Sequence, residues 1–247
     1  FTTDRLVAMD ILHQPERVII EYNGMWLVSN FEKMQLPKGW GVEQQITCVD
    51  GSTFQMYMAN MKSIFMDMIK NTDMVIFNRC KKEDPLPTYR RGIKVANQRA
   101  EVIFEDEEGE LGDIFQDEMP FDMNAPVIEI LPEDYGIWFV DAMDHPENYE
   151  GKTVKFKARV MKPRGMGSKF FVPGRTAMTC CADDTTFLGY VCKSAYAPKL
   201  TAGQWVEVTA KVGIEKRNEY QGEEGIVLDA EYVETCEPLA DEMVYFN

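Results

Sequence analysis

The hydrophobic pattern changes character midway along the chain. In the first half, residues 17–22, 45–50 and 74–78 are short apolar runs, each ending in polar or turn residues, as buried parallel strands do. Between the second and third runs, Phe54, Tyr57, Met58, Met61, Ile64, Phe65, Met68 and Ile69 recur at helical spacing, with Ser52 or Thr53 available as N-cap. Methionines on such a stripe are core filling in the first instance. A second helix is predicted over residues 88–97, leading into a fourth strand at residues 100–104. Strand, helix, strand repetition predicts an α/β layer.

Beyond Pro120 and the break at Asn124-Ala125-Pro126 the period falls to two. Val154, Phe156, Ala158 and Val160 alternate with Lys155, Lys157 and Arg159, and Val206, Val208, Ala210 and Val212 alternate with Glu207, Thr209 and Lys211. These are half-buried antiparallel strands. Two more strands are expected around a turn at Asp183-Asp184, over residues 176–182 and 186–193, and a last one over residues 226–233. Five such strands suit a small closed barrel of the OB type. The expected organisation is an α/β domain over residues 1–122 and an all-β barrel over residues 123–247.

Composition fits two ordinary globular domains: 247 residues, 45% hydrophobic and 27% charged. No apolar run is long enough to span a bilayer and Phe1 opens no signal-like stretch, so a soluble, cytoplasmic protein without membrane insertion is expected. The six cysteines are scattered among apolar neighbours, which fits reduced thiols better than a disulfide framework. His13 and His145 are too few and too far apart to suggest a histidine metal site or a catalytic base, and no Ser/His/Asp or Cys/His set is visible.

Net charge is -15, with acid concentrated at residues 105–110, and such a field repels phosphate backbones. Nucleic acid would need a local exception. Lys152, Lys155, Lys157, Arg159, Lys162, Arg164, Lys169 and Arg175, near Phe170, Phe171 and Tyr190, are the one candidate stretch. The competing reading, that Lys155, Lys157 and Arg159 are simply the outward face of one strand, is preferred, so nucleic acid is not the expected partner.

One combination of residues carries more information. A predicted strand ends in Ile20-Glu21-Tyr22-Asn23-Gly24, a second in Val49-Asp50 before the long helix, and a third in Asn78-Arg79-Cys80-Lys81. This order resembles the CobW/HypB/UreG GTPases over about residues 1–122, so the first half is expected to be an incomplete P-loop GTPase-like parallel sheet. The resemblance implies a GTPase that uses GTP and Mg. It assigns Glu21 to the catalytic, magnesium-facing position, Gly24 to the terminal phosphate and Asn78 to the base. Two departures stand out. The family's guanine-reading aspartate is Lys81 here, which has donors only. No G-x-x-x-x-G-K-[ST] occurs, the nearest lookalike being Gly165-Met166-Gly167-Ser168-Lys169. The phosphate loop was therefore either lost or lies upstream, and a start at Phe1 directly in helical sequence favours the second.

The second half resembles the C-terminal domain of YcgQ-like proteins through Met178-Thr179-Cys180-Cys181-Ala182-Asp183-Asp184, Leu188-Gly189 and Trp205-Val206-Glu207-Val208. Paired cysteines before an acidic turn suggest a metal such as Zn on Cys180, Cys181, Asp183 and Asp184. A hairpin turn at Asp183-Asp184 pairs Cys181 near Phe187 and leaves Cys192 roughly 16 Å farther along, so those cysteines do not converge. Adjacent Cys180 and Cys181 also face opposite ways on a strand, and structural cysteines are the preferred reading. The functions expected are a CobW-like GTP-binding protein of metal homeostasis that hands over a metal or serves a protein partner, a non-enzymatic interaction protein with the barrel as contact module, or an OB-type nucleic-acid binder.

Overall fold

A computed structural model describes residues 2–112, 119–179 and 184–245. The chain divides into two compact units, Phe1–Ile114 and Phe115–Asn247.

The first unit begins with helices α1 (Thr3–His13) and α2 (Val28–Glu32). Strand β1 (Ile46–Asp50), helix α3 (Phe54–Ile69), strand β2 (Met74–Asn78), helix α4 (Leu86–Ala96) and strand β3 (Glu101–Phe104) follow. The strands form one parallel sheet in the order β1-β2-β3. Burial alternates along each of them, so the sheet buries one face through Val49, Val75, Phe77, Val102 and Phe104. Helices α3 and α4 cover that face. Phe54 sits edge-on to Phe65, Phe77 and Tyr89 with centroids 5.1, 4.9 and 4.6 Å away, and Phe77 stacks on Phe104 at 4.9 Å. The strands read as doubly buried are thus single-faced, and Cys48 on β1 points to the exposed side.

One expected strand is absent from the described residues: 17–22 form neither strand nor helix, and Ile19 is 92% exposed. A β-branched apolar run becomes a strand only where a neighbouring edge accepts its hydrogen bonds, and this run pairs with no strand of the sheet.

The second unit opens with β4 (Ile128–Glu129) and α5 (Tyr135–Asp144), and continues through β5 (Thr153–Met161), β6 (Phe170–Met178), β7 (Thr185–Gly189), β8 (Val191–Lys193), β9 (Trp205–Lys216), β10 (Glu224–Thr235) and β11 (Met243–Val244). Five of these close a barrel. Strand β5 pairs antiparallel with β6 and β9, β9 with β10, β10 runs parallel to β8, and β8 pairs back to β6. β6 then leaves the barrel to form a hairpin with β7, while β11 adds alongside its far end. The crossing point has no room for side chains: a Cβ on Gly174 would lie 2.3 Å from the Leu188 carbonyl oxygen, and its cross-strand partner Gly189 is equally crowded.

Helix α5 presents its aromatic side to the barrel strands. Trp138 packs on Phe156 at 4.8 Å and on Tyr190 at 5.6 Å, and Phe139 stacks on Tyr190 at 4.8 Å. The tyrosine hydroxyls here are satisfied locally, whereas the buried Trp138 Nε1 has no acceptor among the described residues. Tyr135 Oη donates to the Leu188 carbonyl at 3.0 Å, Tyr190 Oη to the Phe139 carbonyl, and Tyr149 Oη to Asp141 at 2.6 Å. Arg175, only 2% exposed, completes this interior. Its guanidinium donates to the carbonyls of Pro132, Asp241 and Met243 and lies 5.6 Å from the Tyr135 ring centroid.

Replacing Arg175 by Met keeps the volume but leaves those carbonyls without their donor, and is expected to lower stability by roughly 2–4 kcal/mol. Arg175→Lys should recover only part of this, because one ammonium cannot reproduce the planar fork. Urea midpoints of the three proteins decide it, and equal midpoints would show the clamp to be irrelevant.

Candidate functional site

Ligands of parallel sheets gather beyond the carboxyl ends of the strands. Here β1 and β2 end side by side, with Asp50 in register with Asn78. Asp50 is fully engaged: Oδ1 accepts from the Ser52 N–H (3.1 Å) and hydroxyl (2.7 Å), and Oδ2 pairs with the Arg79 guanidinium at 2.7 Å. Arg79 holds a left-handed backbone, φ 54°, which turns the chain back towards β1. The two loops touch at Gly51, where a Cβ would stand 2.8 Å from Cys80 Sγ and 3.0 Å from the Asn78 carbonyl oxygen. Asn78 Oδ1 is buried and accepts no hydrogen bond from the described residues, so this corner offers one free acceptor beside an ion pair.

The other expected residues of this half lie elsewhere. Glu21 is exposed in irregular backbone, off the sheet. Gly24 has open space around its Cα, and its carbonyl accepts from Tyr57 Oη of α3 at 3.2 Å. Asp84, three residues after Lys81, accepts from the Lys81 N–H at 2.7 Å and so braces its own loop. Burial pushes the Cys80 thiol up to about 11, which keeps it protonated and poorly nucleophilic.

In the second unit, Cys180, Cys181 and Asp183 lie outside the described residues. The Asp184 carbonyl accepts from the Thr179 N–H at 3.0 Å and hydroxyl at 2.7 Å. The hairpin register differs from the expected one: Phe187 faces Thr176. Cys192 is fully buried, and burial raises its pKa far above the ordinary thiol range. Among the described residues no three His, Cys, Asp or Glu side chains are grouped so as to hold a metal, and no helix is long and apolar enough to cross a membrane.

The expected basic stretch divides into three. Arg175 is the interior clamp. Lys155 pairs with Glu207 at 3.1 Å, and Lys157 lies in register with the same residue, so part of the β5 stripe is engaged by acid. Lys162, Arg164 and Lys169 are exposed on loop 162–169 between β5 and β6. Lys162 Nζ reaches the Ala197 carbonyl at 2.7 Å. Facing this loop is loop 217–223 between β9 and β10, whose Arg217 guanidinium lies 4.3 Å from the Phe170 ring centroid and is held by Glu219 at 3.0 Å and Glu215 at 3.6 Å. Tyr220 anchors the second loop, accepting from the Val191 N–H at 3.2 Å and donating to the Ile226 carbonyl. Sequence reasoning missed this rim because its two halves are about fifty residues apart; the only local signal was a pair of glycine-containing polar loops between alternating strands.

Comparison with known proteins gives one family match: the model of the DUF1980 C-terminal domain covers residues 110–246, more than half of the chain. No curated protein matches. Among solved structures, Rim1, a mitochondrial single-stranded DNA binding protein from S. cerevisiae, is 10% identical over 35% of this chain and 95% of its own, with a TM-score of 0.22. Aspartyl tRNA synthetase from Entamoeba histolytica is 16% identical over 48% of this chain and 27% of its own, with a TM-score of 0.25. Scores this low carry no inference. The expected kinship with CobW/HypB/UreG GTPases and with YcgQ-like domains is corrected by these findings. The matching family is neither of them. The three strand-end corners behind the first resemblance also reduce to two, because residues 17–22 form no strand.

Two measurements check the geometry of the sheet corner and the state of the thiols. Gly51→Ala should destabilise the protein by about 1–3 kcal/mol through its clash with Cys80 and the Asn78 carbonyl, whereas Gly24→Ala should stay within about 0.5 kcal/mol; thermal melts distinguish them. Iodoacetamide at neutral pH should label Cys48 in the native protein and spare Cys80 and Cys192 until denaturant is added, as peptide mass spectrometry would report.

Proposed function

We propose a function from this premise: the chain belongs to the DUF1980 C-terminal domain family, and its barrel acts as a non-catalytic binding module for a protein partner. The observation that carries this reading is the contact of Arg217, in loop 217–223, with Phe170, the first residue of β6 directly after loop 162–169. The strand pairing fits an OB-like barrel, and in such barrels the corresponding two loops and the face of the second and third strands make up the usual contact surface. Here those strands are β6 and β8. Aromatic rings from α5 and the strands fill the region beneath, so a ligand meets the barrel at its outer surface.

Charge narrows the partner. Arg164 and Lys169 are exposed on the rim of a chain whose net charge is -15. A locally basic rim on an acidic protein suits an acidic protein segment, with complementarity governing orientation and association rate. Glu207, paired with Lys155 within the β5 stripe, disfavours a continuous track for a phosphate backbone.

Affinity capture from cells of origin, comparing the wild-type chain with an Arg164→Glu/Lys169→Glu variant, tests the proposal. Partners identified by mass spectrometry should fall at least roughly fivefold with the variant, and a single-stranded oligonucleotide of about 20 nucleotides should not shift in a gel. Equal capture by both proteins would remove the rim from consideration. Salt-sensitive oligonucleotide binding would replace a protein partner with nucleic acid.

A further inference from the structure

Between the start of the described second unit and α5, residues 120–134 line an open cleft of about 310 Å³, at the lower end of the range for small-molecule sites. Its walls are of two kinds. Phe121, Val127 and Leu131 are apolar, and Val127 and Leu131 remain 40% and 47% exposed. Asp122, Glu129 and Asp134 bring carboxylates to the same space.

Asp134 stands out among the three. It is 9% exposed and occupies the N-cap of α5, yet its side chain makes no capping hydrogen bond. Its carboxylate has neither a hydrogen-bond donor nor a paired cation among the described residues. Burial and the neighbouring Glu133 both push its pKa up, where a partner cation would pull it down. Two cations of this unit are occupied elsewhere: Arg175 donates to backbone carbonyls and Lys155 pairs with Glu207. Asp122 gives one oxygen to the Asn124 N–H at 2.8 Å and keeps the other. With no partner for Asp134 among the described residues, its oxygens are left to solvent or to a group that enters the cleft.

The walls decide what that is. A metal ion needs several oxygens together at roughly 2.0–2.6 Å, and no three acidic, Cys or His side chains among the described residues are so grouped. An anion is repelled by all three carboxylates. We propose that the cleft binds an alkylammonium group, with its ammonium against Asp134 between Asp122 and Glu129 and its methylene stem along Val127, Leu131 and Phe121. The same chemistry is carried by a free aliphatic amine and by a lysine side chain. This site does not rest on the rim described above, and either can fail without the other.

An NMR titration of the full chain with n-pentylamine and with its neutral counterpart pentan-1-ol tests the site without any mutation. Pentylamine should move the amide signals of Val127, Leu131 and Asp134 with a dissociation constant on the order of 1 mM or tighter, and pentan-1-ol should not. Asp134→Asn, close in shape and itself a good N-cap, should weaken pentylamine at least roughly tenfold. Nα-acetyl-lysine methylamide sorts the source: tighter binding than pentylamine assigns the cleft to a lysine side chain, weaker binding to a free amine. Equal binding of the alcohol, unchanged affinity in Asp134→Asn, or no binding of either amine overturns the proposal.

Discussion

The second unit is organised around a guanidinium with no aqueous shell. Arg175 brings a permanent charge into an interior position, and the chain answers with carbonyls from two distant segments, Pro132 just before α5 and Asp241 and Met243 near β11. The guanidinium meets these carbonyls through Nη1 and Nη2 while its Nε finds no acceptor among the described residues, and the entry to α5, the middle of β6 and the final strand are tied to one side chain. Tyr135 reinforces the arrangement by placing its ring under the same guanidinium and its hydroxyl on the Leu188 carbonyl. These long-range ties complement the ladder of the barrel, which by itself specifies neither where α5 docks nor where β11 ends.

Trp138, Phe139, Phe156 and Tyr190 form one aromatic group between α5 and the barrel strands. Two features lie outside it, with opposite character. The rim of loops 162–169 and 217–223 is rigidified by Arg217 on Phe170 and carries basic side chains. The cleft before α5 is acidic and holds an unpaired carboxylate in a partly apolar setting. Arg217 packs on Phe170 beside the first, and among the described residues no cation pairs with Asp134 in the second.

The first unit depends on a different constraint, the close approach of two loops at the carboxyl edge of its sheet. Gly51 permits contact with Cys80, and the Asp50–Arg79 pair closes over it. The ion pair is largely solvent-exposed and contributes little by itself; the packing at Gly51 and the aromatic group around Phe54 and Phe77 set the corner.

What could be read from sequence follows period and local chemistry. Strands β1, β2 and β3, helices α3 and α4, and the alternating strands β5 and β9 were legible, because an element that buries one face must repeat its apolar residues at its own spacing, and β10 was legible as an apolar run. Residues 17–22 failed by the same rule, since apolar composition cannot supply the neighbour that makes a strand. Only the tertiary structure decided which charges are chemistry and which are scaffolding. Lys155, Arg164 and Arg175 belong to one basic stretch in the sequence, but in the fold one is paired, one is exposed and one is enclosed. Asp134 is one acid among 41 in composition, and only in the fold is it set apart. The physical reason is that the energy of a charge depends on the solvent and partners around it, and these come from residues brought near in space, about which its neighbours along the chain say nothing.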